Sequence, residues 1–192
     1  MNLTNIDGLA IIGPGSEWFW AAANGLVLAI TFLAIYRQLR LQASANAFQQ
    51  MDRFVHEWAS EPSMRNMLEI LIAQRAGVNP ERFPEGASSF ITDFWESVGS
   101  LVRAGHVDRR LVHDFLGDRC RWWWAVLAPY TRRLRIETGD RQRKEHLEWL
   151  AGVMAELDRK AGVDIPYDEA FIARRLDSVI ENFQDRIRVA ED

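Results

Sequence analysis

Nineteen consecutive uncharged residues, Trp18 to Tyr36 (WFWAAANGLVLAITFLAIY), constrain this chain more than any other stretch. As an α-helix they cover roughly 28 Å, close to the hydrocarbon thickness of a bilayer. Trp18, Trp20 and Tyr36 stand at the two ends, where amphipathic rings favour the headgroup layer. Glu17 bounds one side and Arg37 and Arg40 the other. The first 17 residues carry only Asp7 and Glu17 as charged side chains, so the positive flank is C-terminal. The positive-inside bias then places residues 1–17 outside, a transmembrane helix at 18–36, and residues 37–192 in the cytoplasm of a single-pass inner-membrane protein. A cleaved signal peptide needs a basic start, which is missing here. The A-x-A triplet Ala45-Asn46-Ala47 lies well past the apolar run, beyond two arginines.

The span is not uniformly apolar. Asn24 and Thr31 are seven residues apart and share a face, which Gln38 continues. Ala21, Gly25 and Ala29 repeat every four residues, a pattern that allows close helix approach. An amide in hydrocarbon requires a partner, and one span has no second span to supply it. Asn24, Gly25 and Thr31 therefore point to self-association in the membrane, as glue within an oligomer or as the lining of a narrow wet path.

Composition narrows the rest. With 48% hydrophobic and 26% charged residues, wholesale disorder is excluded, and a net charge of −4 excludes a globally basic nucleic-acid binder. A single cysteine, Cys120, excludes an internal disulfide framework and a cysteine-rich zinc site. No Gly or Pro occurs from Leu26 to Glu61, so the first helix is expected to continue to about Ser60. Leu41, Phe48 and Val55 repeat by seven, with Met51 and Trp58 between them, as a packing seam does.

Ser60 reads as the N-cap of a second helix over about 64–76, and Gly77 to Gly86 as a loop. A third helix over about 88–104 carries the apolar stripe Ile91, Phe94, Trp95, Val98, Leu101 and Val102. Asp108 is expected to cap a short helix closed by Gly117, and Asp118 to begin another that Pro129 bends and Gly139 ends. Asp140 is expected to cap a helix to about Ala161, and a last helix runs over about 167–189. Gly13-Pro14-Gly15 reads as a turn before the span. The fold class is all-α: one N-terminal transmembrane helix continuous with a cytoplasmic bundle of about six helices.

Charge is unevenly spread. Arg119 to Lys144 contains eight basic residues against Glu137 and Asp140, and the chain from Glu145 onward has twelve acidic against six basic. Arg132, Arg133 and Arg135 suit either a solvated face or an anionic partner such as RNA or anionic lipid. Trp122, Trp123 and Trp124 sweep about 200° of helix and cannot all face one core. The sequence shows no cofactor motif. His106 and His113 lack a third metal ligand.

One segment has a mechanism attached. Arg141 to His146 (RQRKEH) has the R-x4-H form and resembles the motif of HEPN ribonucleases. There, histidine handles protons during attack by the RNA 2′-hydroxyl and arginine stabilises charge on the phosphate. The resemblance implies a metal-independent ribonuclease with Arg141 and His146 as catalytic residues. The same two residues also fit an ordinary solvated helix face.

Most of the chain resembles an uncharacterised family of bacterial single-span proteins known only as a domain of unknown function. The carriers are the span running into YRQLRLQ, then FWESVGSLVRAGHVD with Gly99, Arg103 and Gly105. WWWAVLAPYTRRLR with Pro129 and Arg135 follows, then HLEWL from His146. That likeness implies a membrane-anchored helical domain and brings no activity. In layout the chain is also similar to the membrane accessory protein of type VI CRISPR systems, which pairs a span with a degenerate HEPN-like domain and assembles into a pore. The functional expectation is a membrane-anchored, self-associating protein acting as scaffold, sensor or pore-type defence effector; the alternative is a membrane-tethered ribonuclease.

Overall fold

A computed structural model describes residues 5–6, 9–10, 17–163 and 165–191. The turn expected at Gly13-Pro14-Gly15 lies outside the described residues. The chain divides into two compact units, residues 1–46 and 47–192.

In the first unit, β1 (Asn5–Ile6) and β2 (Leu9–Ala10) form a two-residue antiparallel ladder. Helix α1 (Glu17–Trp58) begins in this unit. Its segment Glu17–Gln42 is long and apolar enough to cross a membrane, and no part of that apolar stretch is buried. Phe32 is 71% exposed and Leu33 62% exposed. Each such side chain forfeits roughly 1.5–3 kcal/mol while it faces water.

The second unit is entirely helical. After the end of α1 come α2 (Glu61–Arg75), a 3-10 turn (Pro80–Arg82), α3 (Glu85–Arg103), α4 (Arg109–Thr138), α5 (Glu145–Lys160) and α6 (Glu169–Glu191). Local signals explain most ends. The Ser60 hydroxyl accepts from the Ser63 amide at 3.4 Å, and Asp108 accepts from the amides of Arg110 and Leu111. Gly139, at φ 70°, ends α4 in the left-handed conformation that glycine adopts without a Cβ penalty.

Helix α3 packs on α5, α4 on α5, and α2 on both α3 and α6. The expected stripe of α3 faces the core, with Ile91, Trp95 and Val98 fully buried. Trp58 centres an aromatic cluster, with ring centroids 4.8 Å from Trp95, 5.0 Å from Phe94 and 6.0 Å from Trp123. In the expected seam of α1, Met51 and Trp58 are buried and Val55 is half-buried against the core, whereas Leu41 and Phe48 stay exposed; Phe54, outside that seam, is buried as well. The three successive tryptophans of α4 separate as their arc requires. Trp122 meets Phe171 of α6, Trp123 meets Trp58 of α1, and Trp124 lines a groove beside Gly152 and Ala155 of α5. Cys120 is fully buried on α4, and desolvation pushes its thiol pKa far above the ordinary range.

Two expected boundaries are corrected. Gly117 does not end a helix: α4 runs through it, and a Cβ there would stand 3.1 Å from the His113 ring and 3.5 Å from Met154 Sδ of α5. An interior glycine weakens a helix by only about 1 kcal/mol, which tertiary packing over a 30-residue helix outweighs. Among the described residues the bundle after α1 is five α-helices and a 3-10 helix, with the expected short helix before Gly117 forming the first part of α4. Asp140 does not cap α5: it accepts from the Gln142 amide within a turn, and α5 starts five residues later at Glu145.

Candidate functional site

The start of α5 poses a local problem that the rest of the unit solves. Its N-cap position is Lys144, at φ 60° and ψ 33°, whose side chain accepts nothing. The first-turn amides need acceptors from elsewhere. Glu96 supplies one from α3: its Oε2 accepts from the Leu147 amide at 2.9 Å, and its Oε1 accepts from His146 Nδ1 at 2.7 Å. An anionic carboxylate there also complements the positive end of the helix dipole.

Neighbouring residues complete the joint. Glu96, Gly99 and Arg103 lie at i, i+3 and i+7 on one side of α3. Gly99 has its Cα against the His146 backbone, and Arg103 Nη1 donates to Glu145 Oε1 at 2.9 Å. Arg103 also sits 5.9 Å from the Trp149 ring centroid. The Lys144 ammonium is buried and pairs with Asp93. From α4, Arg135 donates to the Arg143 carbonyl at 2.8 Å, the Lys144 carbonyl at 3.2 Å and Glu148 Oε2 at 2.6 Å. The segments FWESVGSLVR, TRRLR and HLEWL therefore converge on one three-helix joint.

The R-x4-H residues occupy different parts of it. His146 belongs to the joint through Glu96. Arg141 lies exposed in the turn before α5, with no hydrogen bond or ion pair to His146 among the described residues. The three arginines assigned to an anionic partner also separate. Arg135 is spent on the joint. Arg133 stacks at 5.2 Å on Tyr130 and lies 3.6 Å from Glu137. Arg132 is exposed, without a hydrogen bond or ion pair among the described residues, and lines a groove between α4 and α5 with Arg121.

On the first unit, Asn24 is exposed, without a hydrogen bond among the described residues, and a Cβ at Gly25 would meet nothing within 4 Å. The Thr31 hydroxyl donates to the Val27 carbonyl at 2.7 Å, so its own helix satisfies it.

Sequence reasoning passed over a second polar centre. Asp158 of α5 accepts from His113 Nε2 at 2.7 Å and pairs with Arg121. The second Arg121 Nη donates to the Ile165 carbonyl at 2.8 Å, and the guanidinium lies 4.4 Å from the Tyr167 ring centroid. Asp114 accepts from His113 Nδ1 at 3.3 Å. Burial pulls the His113 pKa down, but its hydrogen bonds to Asp158 and Asp114 and their negative charges outweigh that, so it rises above the ordinary value. Both ring nitrogens face carboxylates, which suits the protonated imidazolium. Burial, with the nearby Asp118 carboxylate, raises the Tyr167 pKa as well. Apart from the adjacent Asp114, the partners are 37 to 49 residues apart, and no local spacing announces them. Among the described residues, no three His, Cys, Asp or Glu side chains gather as a metal site needs.

This arrangement of three motif segments around one joint defines a helical domain held by tertiary capping. Residues 21–153 match the family described as Domain of unknown function (DUF4760), and the chain belongs to that family. No curated protein and no solved structure matches.

Proposed function

We propose that this protein is a single-pass membrane protein whose α1 self-associates in the bilayer and presents a non-enzymatic helical domain to the cytoplasm, as scaffold, sensor or defence effector. One observation carries the reading: among the described residues, none of the apolar stretch within Glu17–Gln42 is buried. Lipid or neighbouring copies are the cover chemistry offers for such a surface. The aromatic ends and the charge asymmetry between Glu17 and Arg37/Arg40 support an N-terminus-out orientation. The Asn24 amide, without a hydrogen bond among the described residues, and the open Gly25 surface support association through that face.

The ribonuclease alternative draws less support. His146 Nδ1 and Glu96 are both committed to holding the first turn of α5, a role that needs no catalysis.

Fractionation of cells expressing the full-length chain tests the proposal. The protein is expected in the membrane pellet after alkaline carbonate washing, and in solution only after detergent. Full-length protein in the wash supernatant overturns it.

A further inference from the structure

The groove between α4 and α6 is lined by three arginines and one carboxylate. It has a volume of about 340 Å³, at the lower end of the range for small-molecule sites. Helix α6 packs on α2 and meets α4 where Phe171 touches Trp122. Arg175, Val179, Asn182 and Arg186 follow the i, i+4, i+7, i+11 spacing and form one α6 wall. Asp118, Arg119 and Trp122 form the α4 wall.

Charge in the groove is unbalanced. Arg119, Arg175 and Arg186 have no ion pair among the described residues. Arg119 donates once, to the Phe115 carbonyl, and Arg175 stacks at 4.9 Å on Phe171. The one carboxylate, Asp118, is engaged by the Tyr167 hydroxyl. Three guanidiniums in one concavity attract anions, and their planar forks match phosphate oxygens. Arg175 and Arg186 stand eleven residues apart, about 16 Å along the helix axis, so one phosphate cannot engage both. Between them lie an apolar floor of Val179 and Phe183 and the Asn182 amide, which makes no hydrogen bond among the described residues and has both a donor and an acceptor to offer.

We infer that this groove binds a nucleoside polyphosphate, with the phosphates on the arginine rim and the base in the apolar slot beside Asn182. A bare anion leaves the slot unused, and an uncharged aromatic leaves the arginines unused.

The test uses full-length protein in detergent, titrated calorimetrically with ADP, inorganic phosphate and adenosine. ADP is expected to bind saturably at one site per chain, with phosphate and adenosine each at least tenfold weaker. Arg119→Gln/Arg186→Gln is expected to weaken ADP at least tenfold while its ligand-free melting temperature stays unchanged. Should that variant melt early, Asn182→Leu replaces it, with the same loss for ADP and none for phosphate. The inference is overturned by ADP binding no tighter than phosphate, by undiminished binding to a folded variant, or by no binding at millimolar ADP. It is equally overturned if phosphatidylglycerol vesicles occupy the groove through these arginines and ADP does not, because the phosphate is then a lipid headgroup.

Discussion

Gly99 of α3 meets His146 of α5 backbone to backbone: a methyl group at position 99 would stand 2.5 Å from the His146 carbonyl oxygen and 2.7 Å from its carbon. Neither atom belongs to a flexible side chain, so the helices themselves must part. Gly99→Ala is expected to destabilise the protein by about 1–3 kcal/mol, despite its better helix propensity. Thermal or chemical denaturation reads this, and an unchanged transition counts against the close approach.

Glu96 serves two donors in the first turn of α5, the Leu147 amide and His146. Glu96→Ala leaves both unsatisfied and is expected to cost about 1–3 kcal/mol. Glu96→Gln retains one acceptor oxygen and is expected to cost less. Amide hydrogen exchange at Leu147 should accelerate in the alanine variant; equal protection in all three proteins would contradict the tertiary cap.

The raised pKa of His113 makes its contribution pH-dependent. A histidine with a native pKa above its unfolded value stabilises fully below the unfolded value, near 6.5, and loses that contribution as pH rises through the native pKa. The charged groups facing it are Asp114 and Asp158, with Arg121 on the far side of Asp158. The stability gap between wild type and His113→Gln is therefore expected to be larger at about pH 5.5 than at about pH 8.5. A gap that grows with pH reverses the assignment.

Asn24→Leu replaces an amide that makes no hydrogen bond among the described residues with a side chain lipid accommodates. Interhelical hydrogen bonds in membranes contribute about 0.6–2 kcal/mol, so oligomer affinity in detergent should fall roughly 3- to 30-fold. Light scattering across a dilution series measures it. An unchanged oligomer mass removes Asn24 from the assembly face.

Incubation with RNA separates the two functional readings. Neither the wild type nor Arg141→Ala/His146→Ala is expected to cleave. Cleavage by the wild type alone would establish the ribonuclease in place of the scaffold.

The elements legible in the sequence are those that local chemistry decides. The Trp18–Tyr36 run, the Ser60 and Asp108 caps, the α3 stripe and the stop at Gly139 each depend on residues within one or two turns. Gly117 misled because its own preference is small beside the packing of α4 on α5. Asp140 misled because a capping residue also makes a good turn, and here it serves Gln142. The joint was invisible for a different reason. Glu96 and His146 are 50 residues apart, and only the fold brings a carboxylate to amides that Lys144 cannot serve. Arg135 read as a free cation because its carbonyl partners belong to a turn whose course no nearby residue announces.

Cys120 carries a practical consequence. Its thiol is sealed in the core and held protonated, so it ignores polar alkylating reagents while the domain stays folded. The native chain is thereby a ready-made background for cysteine mapping: single cysteines introduced beside Glu17 and beside Arg40 can be tagged in intact cells to test whether the two positions face opposite sides of a bilayer, with no reactive endogenous thiol to subtract.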